Sequence, residues 1–369
     1  MSKRRKKKLN RRQQEIRRKR LKKRKRRRAI VIIIELIILC ILGTTAFALF
    51  KLGKMERTSL TNIKNNGLKQ TGYTNIALFG LDSRGKNLGK GNRTDTIMIA
   101  SINNETKKVK LISVYRDTML KQNGEHYDKA NAAYSVGGPE TAVNMLNENL
   151  DLDIQDYVSV NFLALADVID MVDGITVKMT DEEVVHMNNY CVETSKVTGK
   201  KYKKIEPAVA GTYKLNGVQA VSYARIRYTA GGDYKRTERQ RLVLEKTANK
   251  LKKQNLATIN KIIDKVMPEV STSFSTKEIL ALASGAFDFE LGETSGFPFD
   301  LETPDSVPGY SGSYVIPKGL EENVIKLHEF LFPDEDYTPT ETVTNISDTL
   351  INMTNVYPST TGSGTSQYE

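Results

Sequence analysis

The first fifty residues limit what this chain can become more than any other feature. Residues 1–28 hold 19 of the 56 Lys and Arg against a single acid, Glu15, and run directly into Ala29–Phe50, a 22-residue apolar stretch whose only charge is Glu35. As a helix that stretch would reach roughly 33 Å, enough to cross the hydrocarbon core of a bilayer. The positive flank is held on the cytoplasmic side, so the N-terminus is expected inside and everything after Lys51 outside, as a single-pass cell-membrane protein. Ala46-Phe47-Ala48 resembles a signal-peptide cleavage site, but the apolar stretch is longer than a signal core, which favours an anchor. The formal net charge of +13 would alone suggest nucleic acid. Its confinement beside a span makes it an orientation signal resting on anionic lipid, and no nucleic-acid partner is expected. Beyond residue 28 the chain has 37 basic and 42 acidic residues and is mildly acidic. Two cysteines, Cys40 in the span and Cys191 outside it, exclude a disulfide within the outer domain, so that domain must be held by its core. His126, His186 and His328 are scattered and show no zinc spacing.

Residues 51–71 are polar and punctuated by glycine, which predicts a stalk. Asn75–Leu81, Thr96–Ile102 and Lys108–Val114 then read as strands, the last two joined at Asn103-Asn104-Glu105. Apolar spacing predicts helices over Gly138–Leu150, opened by Pro139, and over Phe162–Met171. Tyr157–Asn161 and Gly174–Met179 are expected strands, so strands alternate with helices, the pattern of an α/β layered domain. Asp181–Gly211 is polar and Lys-rich and reads as a surface excursion. Further helices are expected at Val218–Ile226, Thr237–Leu251, Leu256–Val266, Thr276–Ala286 and Leu320–Leu331, within a domain spanning 72–334. The Thr-, Ser- and Asn-rich residues 335–369 are expected to stay unfolded.

Four constellations carry chemistry. Asp82-Ser83-Arg84 ends the first strand, and Arg93-Thr94-Asp95 follows across a Gly- and Lys-rich loop. Two carboxylates bracketing such a loop can share a hard divalent cation, and Arg84 and Arg93 offer forks matched to phosphate oxygens; the plainer alternative is a loop whose charges pair with one another. Arg116-Asp117 ends the third strand, and Lys129 follows in Tyr127-Asp128-Lys129-Ala130-Asn131. The fourth group is Arg225-Ile226-Arg227, then Asp233, then Arg236 to Arg241. Arg236 shares a helix face with Arg239 and with Gln240, while Arg239 and Arg241 could instead pair with Glu238 and Glu245 at the surface. So many guanidinium groups in an acidic domain call for an anion.

These segments resemble the LytR-CpsA-Psr family of bacterial envelope proteins. The resemblance rests on Asn75-Ile76-Ala77-Leu78-Phe79-Gly80-Leu81-Asp82, Arg93-Thr94-Asp95-Thr96, Ser113-Val114-Tyr115-Arg116-Asp117-Thr118, Lys129-Ala130-Asn131-Ala132-Ala133-Tyr134, Tyr223-Ala224-Arg225-Ile226-Arg227 and Asp233 through Gln240. It implies a mixed β-sheet sandwiched between helices, with an apolar pocket for a polyprenyl chain. It also implies a phosphotransferase that moves a glycopolymer from undecaprenyl diphosphate to peptidoglycan. On the matching positions, Asp82 and Asp95 would hold Mg²⁺ (or Mn²⁺), and Arg84, Arg93, Arg116, Lys129, Arg225, Arg227, Arg239 and Gln240 would contact phosphate. Arg116, with Asp95 or Asp117 as base, would be catalytic. A non-enzymatic scaffold that binds anionic polymer or lipid diphosphate, and a lipid-diphosphate hydrolase, are the competing functions. The chain departs from the family in reading Arg239-Gln240-Arg241 where a second Gln is common, and in its insert at 181–211.

Overall fold

The computed structural model describes residues 56–82, 88–285 and 288–359. The predicted basic tail and span lie outside the described residues, and among those described no helix is long and apolar enough to cross a membrane.

The chain enters through β1 (Glu56–Arg57) and then lies along the domain rather than standing off as a stalk. The Glu140 carboxylate accepts the Thr61 N–H at 2.7 Å, Asn144 Oδ1 accepts the Lys64 N–H at 2.8 Å, and Leu60 and Ile63 pack on the main core. The stalk expectation is therefore corrected over 56–71: its linker-like Asn and Thr residues find partners on the polar side of a helix.

β2 (Tyr73–Leu81), β3 (Thr94–Asn103) and β4 (Lys108–Val114) form an antiparallel meander at the expected places. Asn103 Oδ1 accepts the backbone N–H groups of Glu105 and Thr106, which fixes the turn between β3 and β4. A small hairpin follows, β5 (Met119–Lys121) with β6 (Tyr127–Lys129). Helix α1 (Ala132–Leu150) starts before the expected Gly138 and kinks there, because Gly138 takes φ 75° and Pro139 restarts the helix where a missing N–H is tolerated. β7 (Ile154–Asn161) runs parallel to β2, and α2 (Phe162–Met171) is capped by Asn161, whose side chain accepts the Ala164 N–H at 2.9 Å.

After β8 (Ile175–Met179), the expected surface excursion is largely helix α3 (Asp181–Thr198). Polar composition hid it. Its start is a capping box in which Thr180 and Glu183 satisfy each other's backbone N–H groups, and Val184, Met187 and Cys191 recur at helical spacing and are buried. Burial pushes the Cys191 thiol up to about 11, so it behaves as a core residue. β9 (Gly211–Leu215) pairs with β8, and α4 (Gly217–Ala224), α5 (Gly232–Leu251) and α6 (Leu256–Val266) follow. The remainder is β10 (Val270–Thr272), α7 (Thr276–Gly285), β11 (Glu290–Phe297), β12 (Leu301–Glu302), β13 (Ile316–Pro317), α8 (Leu320–Leu331) and α9 (Glu341–Thr354).

The main sheet has the order β1-β10-β7-β2-β3-β4-β11, with β1–β10, β7–β2 and β4–β11 parallel and the other pairs antiparallel. Strand alternation splits its faces. Ala77, Phe79, Leu81, Ile97, Ile99 and Ile112 point into the main core, which α1, α8 and α9 complete. The opposite face is sealed at one end by Ile76, Ile102 and Phe274. A second core joins α2, α3, α4 and the β8–β9 pair.

Helix α9 corrects the expected unfolded tail over 335–359. Val343, Ile346 and Leu350 are spaced to share one face and are 0, 2 and 1% exposed. The buried Asp151 carboxylate accepts the Tyr337 hydroxyl, the Thr340 N–H and the Thr340 hydroxyl at 2.6, 2.9 and 2.7 Å, fixing the approach to the helix. Beside it, His328 Nε2 lies 3.0 Å from the Leu150 carbonyl, which can only accept, and its ring stacks on Tyr337 at 3.5 Å. Burial lowers the His328 pKa from the ordinary 6.5, outweighing the Leu150 hydrogen bond and the Asp151 charge. The unfolded chain therefore takes up this proton near 6.5 and the folded chain does so only at lower pH. Stability from this residue is whole above 6.5 and falls as pH drops through the window below it. Urea titrations about one unit either side of that value are expected to show the fall in the native chain. A smaller difference is expected in His328→Gln; an equal one would remove His328 as the cause.

Candidate active site

Between the sheet and helices α2, α4 and α5 lies a cavity of about 340 Å³. Its floor consists of cross-strand pairs on the sheet face opposite the main core: Leu78 beside Met98 and Val158, and Gly80 beside Thr96 and Val160. Gly80 is required there, since a Cβ would lie 2.9 Å from Thr96 Cβ. Phe162, Leu165, Val221, Val243 and Leu244 supply apolar walls from the helices.

Where β2 stops and β3 begins, the lining turns polar. The ladder shifts register there, Gly80 pairing with Thr96 but Leu81 with Thr94, so Asp95 is the extra residue of a bulge. A bulge re-aims a side chain, and Asp95 lines the cavity and bonds Arg116 Nη1. Arg116 Nε lies 3.5 Å from Asp117, which also pairs with Lys129 at 3.3 Å and Arg227 at 3.7 Å. Arg227 Nε reaches Asp233 at 3.3 Å, and Arg236 Nη2 reaches it at 2.9 Å. Arg225 sits over the Phe162 ring at 4.9 Å and pairs with Glu193 at 3.1 Å. Gln240 Nε2 donates to the Asp95 carbonyl at 3.4 Å.

This cluster holds its charge against resistance. Burial, followed by the field of Arg116, lowers the Arg236 pKa although three aspartates oppose the shift. Burial likewise raises the Asp233 pKa in spite of Arg236 and Arg116. Both partners are thus penalised by desolvation more than they are rewarded by pairing. Arg116 is shifted the other way: burial lowers its pKa, but Asp95, Asp117 and Asp233 together raise it. Arg116 Nε and Arg236 Nε are buried without a hydrogen-bond partner, as is Gln240 Oε1. Orphaned guanidinium N–H groups beside an apolar cavity are suited to an anionic head on an apolar tail.

The LytR_cpsA_psr family profile matches residues 44–293. The chain belongs to the LytR-CpsA-Psr family. It is 30% identical over 254 residues to Biofilm regulatory protein A of Streptococcus mutans, covering 65% of this chain and 60% of that one, so it spans less than two thirds of that relative's length. It is 27% identical over 322 residues to the polyisoprenyl-teichoic acid–peptidoglycan teichoic acid transferase TagV of Bacillus subtilis, covering 82% and 78%. The fold matches the LytR-CPS2A-psr family protein YwtF (TagT) with bound octaprenyl pyrophosphate lipid, with TM-score 0.53 and 21% identity over 74% of this chain and 99% of that one.

The helix-flanked mixed sheet is thus the LytR-CpsA-Psr fold. Of the residues singled out in the sequence, Asp95, Arg116, Asp117, Lys129, Arg225, Arg227 and Gln240 come together around the end of the cavity. Arg84 lies outside the described residues. Arg93 is exposed at the edge of β3 and does not line the cavity. Arg239 is corrected. Its guanidinium is spent on Glu183 at 2.9 Å, the Ile226 carbonyl at 3.2 Å and Thr229 Oγ1 at 2.7 Å, on the far side of α5. Arg239 lies about 100° around the helix from Gln240, and these partners hold it away from the cavity that Gln240 lines. Arg236 takes that place. The sequence placed it on one face with Gln240, and that four-residue spacing was the signal for it. The sequence placed Asp233 in the same group without a role, which the structure gives as joining two arginines, and nothing in the sequence pointed to Tyr190 of α3, which also lines the cavity.

Among the described residues no group of three or more His, Cys, Asp or Glu is placed to hold a metal. Asp82 follows the last residue of β2, its backbone N–H donating to the Arg93 carbonyl at 3.2 Å, so it shares the strand edge with Asp95. Carboxylates are the ligand type that a hard ion such as Mg²⁺ takes, and Asp95 is here paired with Arg116.

Proposed function

We propose that the outer domain transfers a glycopolymer from a polyprenyl diphosphate, undecaprenyl diphosphate in the cell, to a hydroxyl of peptidoglycan, while residues 29–50 anchor it in the cell membrane. One observation carries this reading: a single cavity is apolar over most of its lining and ends at Arg225, Arg227 and Arg236, the last with a buried N–H that no protein group accepts. A lipid diphosphate needs both halves at once. The transferase TagV, similar over most of the chain, supports the same reading.

In the reaction the acceptor oxygen attacks the phosphorus that bears the glycan. The bond from that phosphorus to the bridging oxygen breaks, and polyprenyl phosphate leaves with the electron pair. Such transfer depends mainly on positioning and on neutralising charge. Arg116, Arg225, Arg227 and Arg236 neutralise the diphosphate oxygens, with Lys129 behind them. The acceptor's proton goes to one of the carboxylates flanking Arg116, Asp95 or Asp117. Asp82 and Asp95 would hold Mg²⁺, which when bound adds positive charge at the diphosphate.

The test uses the full chain in detergent with a lipid-linked oligosaccharide, Mg²⁺ and peptidoglycan oligomers. Glycan on peptidoglycan is expected. Free glycan phosphate would make the protein a hydrolase, and bound but unchanged lipid would make it a scaffold. Val160→Phe adds bulk to the cavity floor and is expected to raise KM for a long-chain donor about tenfold, leaving a short-chain diphosphate little affected. Equal effects on both chain lengths would remove the cavity as the isoprenoid site.

A further inference from the structure

On the far side of α5 lies a second cavity of about 400 Å³, lined mainly by charged and hydroxyl-bearing residues. The two are separated by one helix. Arg236, Gln240 and Val243 face the apolar cavity, while Lys235, Glu238, Arg239 and Leu242 face the second, whose other wall includes Lys178 and Thr180. Its charged residues balance: Lys178, Lys235 and Arg239 against Glu182, Glu183 and Glu238. Most already pair, Lys235 with Glu238 at 2.7 Å and Arg239 with Glu183 at 2.9 Å. A wall with donors and acceptors but no net charge suits neither phosphate nor a cation. It suits a polyol.

The segment linking the two cavities points the same way. Arg227 lines the first and Thr229 the second, so the cavities approach within two residues of chain, roughly 7 Å. Between them Tyr228 is 73% exposed, and its ring stacks on Tyr190 at 6.4 Å with the planes 23° apart. His186 lies 6.3 Å to one side. Tyr190 itself lines the apolar cavity. An aromatic face held in the open by a second ring contributes little to the core and offers a flat platform. Sugar rings present C–H faces that stack on such a platform and hydroxyls that both donate and accept.

We propose that Tyr228, supported by Tyr190, and the polar cavity beside it form a saccharide subsite that takes a pyranose ring of the glycan next to the reacting phosphate. This deepens the transferase reading and rests on it for the position of that phosphate. The ring can come from the donor glycan or from the acceptor strand, and the two are separable. Three probes are titrated against the full chain: glycan-free polyprenyl diphosphate, the same lipid bearing an N-acetylhexosamine disaccharide, and a lipid-free glycan strand fragment of peptidoglycan.

Tyr228→Ala, at an exposed position, is expected to leave the first affinity unchanged. It should weaken binding of one sugar-bearing probe about tenfold, a change of about 1.4 kcal/mol. Tyr228→Trp should retain that binding. Loss confined to the second probe assigns the donor sugar, and loss confined to the third assigns the acceptor. Equal affinities for all three probes in native chain and Tyr228→Ala would overturn the subsite. If the native chain fails to bind the first probe but binds the third through Tyr228, the lipid-diphosphate reading falls and the subsite stands.

Discussion

Replacing Arg116 with alanine is expected to lower glycopolymer transfer by about two to three orders of magnitude while circular dichroism stays native. The side chain joins Asp95 and Asp117, so its loss does more than remove one phosphate contact. Two carboxylates would remain beside the proposed diphosphate position, and their repulsion adds to the missing attraction. The fold should survive, because these side chains are 16–21% exposed and water screens part of the lost pairing; about 1 kcal/mol of stability is at stake. Arg116→Lys should recover only a fraction of the activity, since an ammonium is a point charge that cannot fork between two carboxylates. Arg225→Ala should also abolish most transfer, and its Glu193 and Phe162 contacts are peripheral to the cluster. Native rates in both alanine variants would show that the diphosphate sits elsewhere.

The largest stability change is expected on deleting residues 335–369. Removing α9 uncovers the pocket filled by Val343, Ile346 and Leu350 and strips the Tyr337 and Thr340 donors from the buried Asp151. Full burial of three such side chains is worth on the order of 5 kcal/mol, an upper estimate for a real unfolded chain. A domain stable by about 5–15 kcal/mol cannot lose that and remain securely folded. The truncated protein should unfold at much lower urea and be cut rapidly by protease. An unchanged urea midpoint would restore the reading of this segment as a dispensable tail. Asp151→Ala, with the chain otherwise intact, should show an intermediate loss because the helix keeps its apolar face.

The strands at 73–81, 94–103 and 108–114 were legible because each alternates or runs apolar over its whole length, and that pattern depends on local neighbours only. Helices α3 and α9 were not. Their polar residues outnumber their apolar ones, and the few that matter, such as Met187 and Ile346, acquire meaning only from the surfaces that receive them. β11 was missed for a similar reason: its Glu, Thr and Gly residues are tolerated on an edge strand, where pairing to β4 rather than side-chain burial holds it.

The sequence by itself determined that the chain has a membrane-length apolar stretch behind a basic tail, an α/β domain after it and an arginine-rich set of motifs in the order of one family. These are properties of residue type and spacing, which the linear chain carries intact. Only the tertiary structure decided which arginines share a site. Arg236 and Arg239, three residues apart and so about 60° apart around α5, go to different partners, one beside an apolar cavity and the other on Glu183. The helix's rotation per residue is fixed, but the direction that rotation starts from is set by what packs around it. Partnership across the fold, not sequence spacing, determines whether a guanidinium group keeps N–H donors for a ligand.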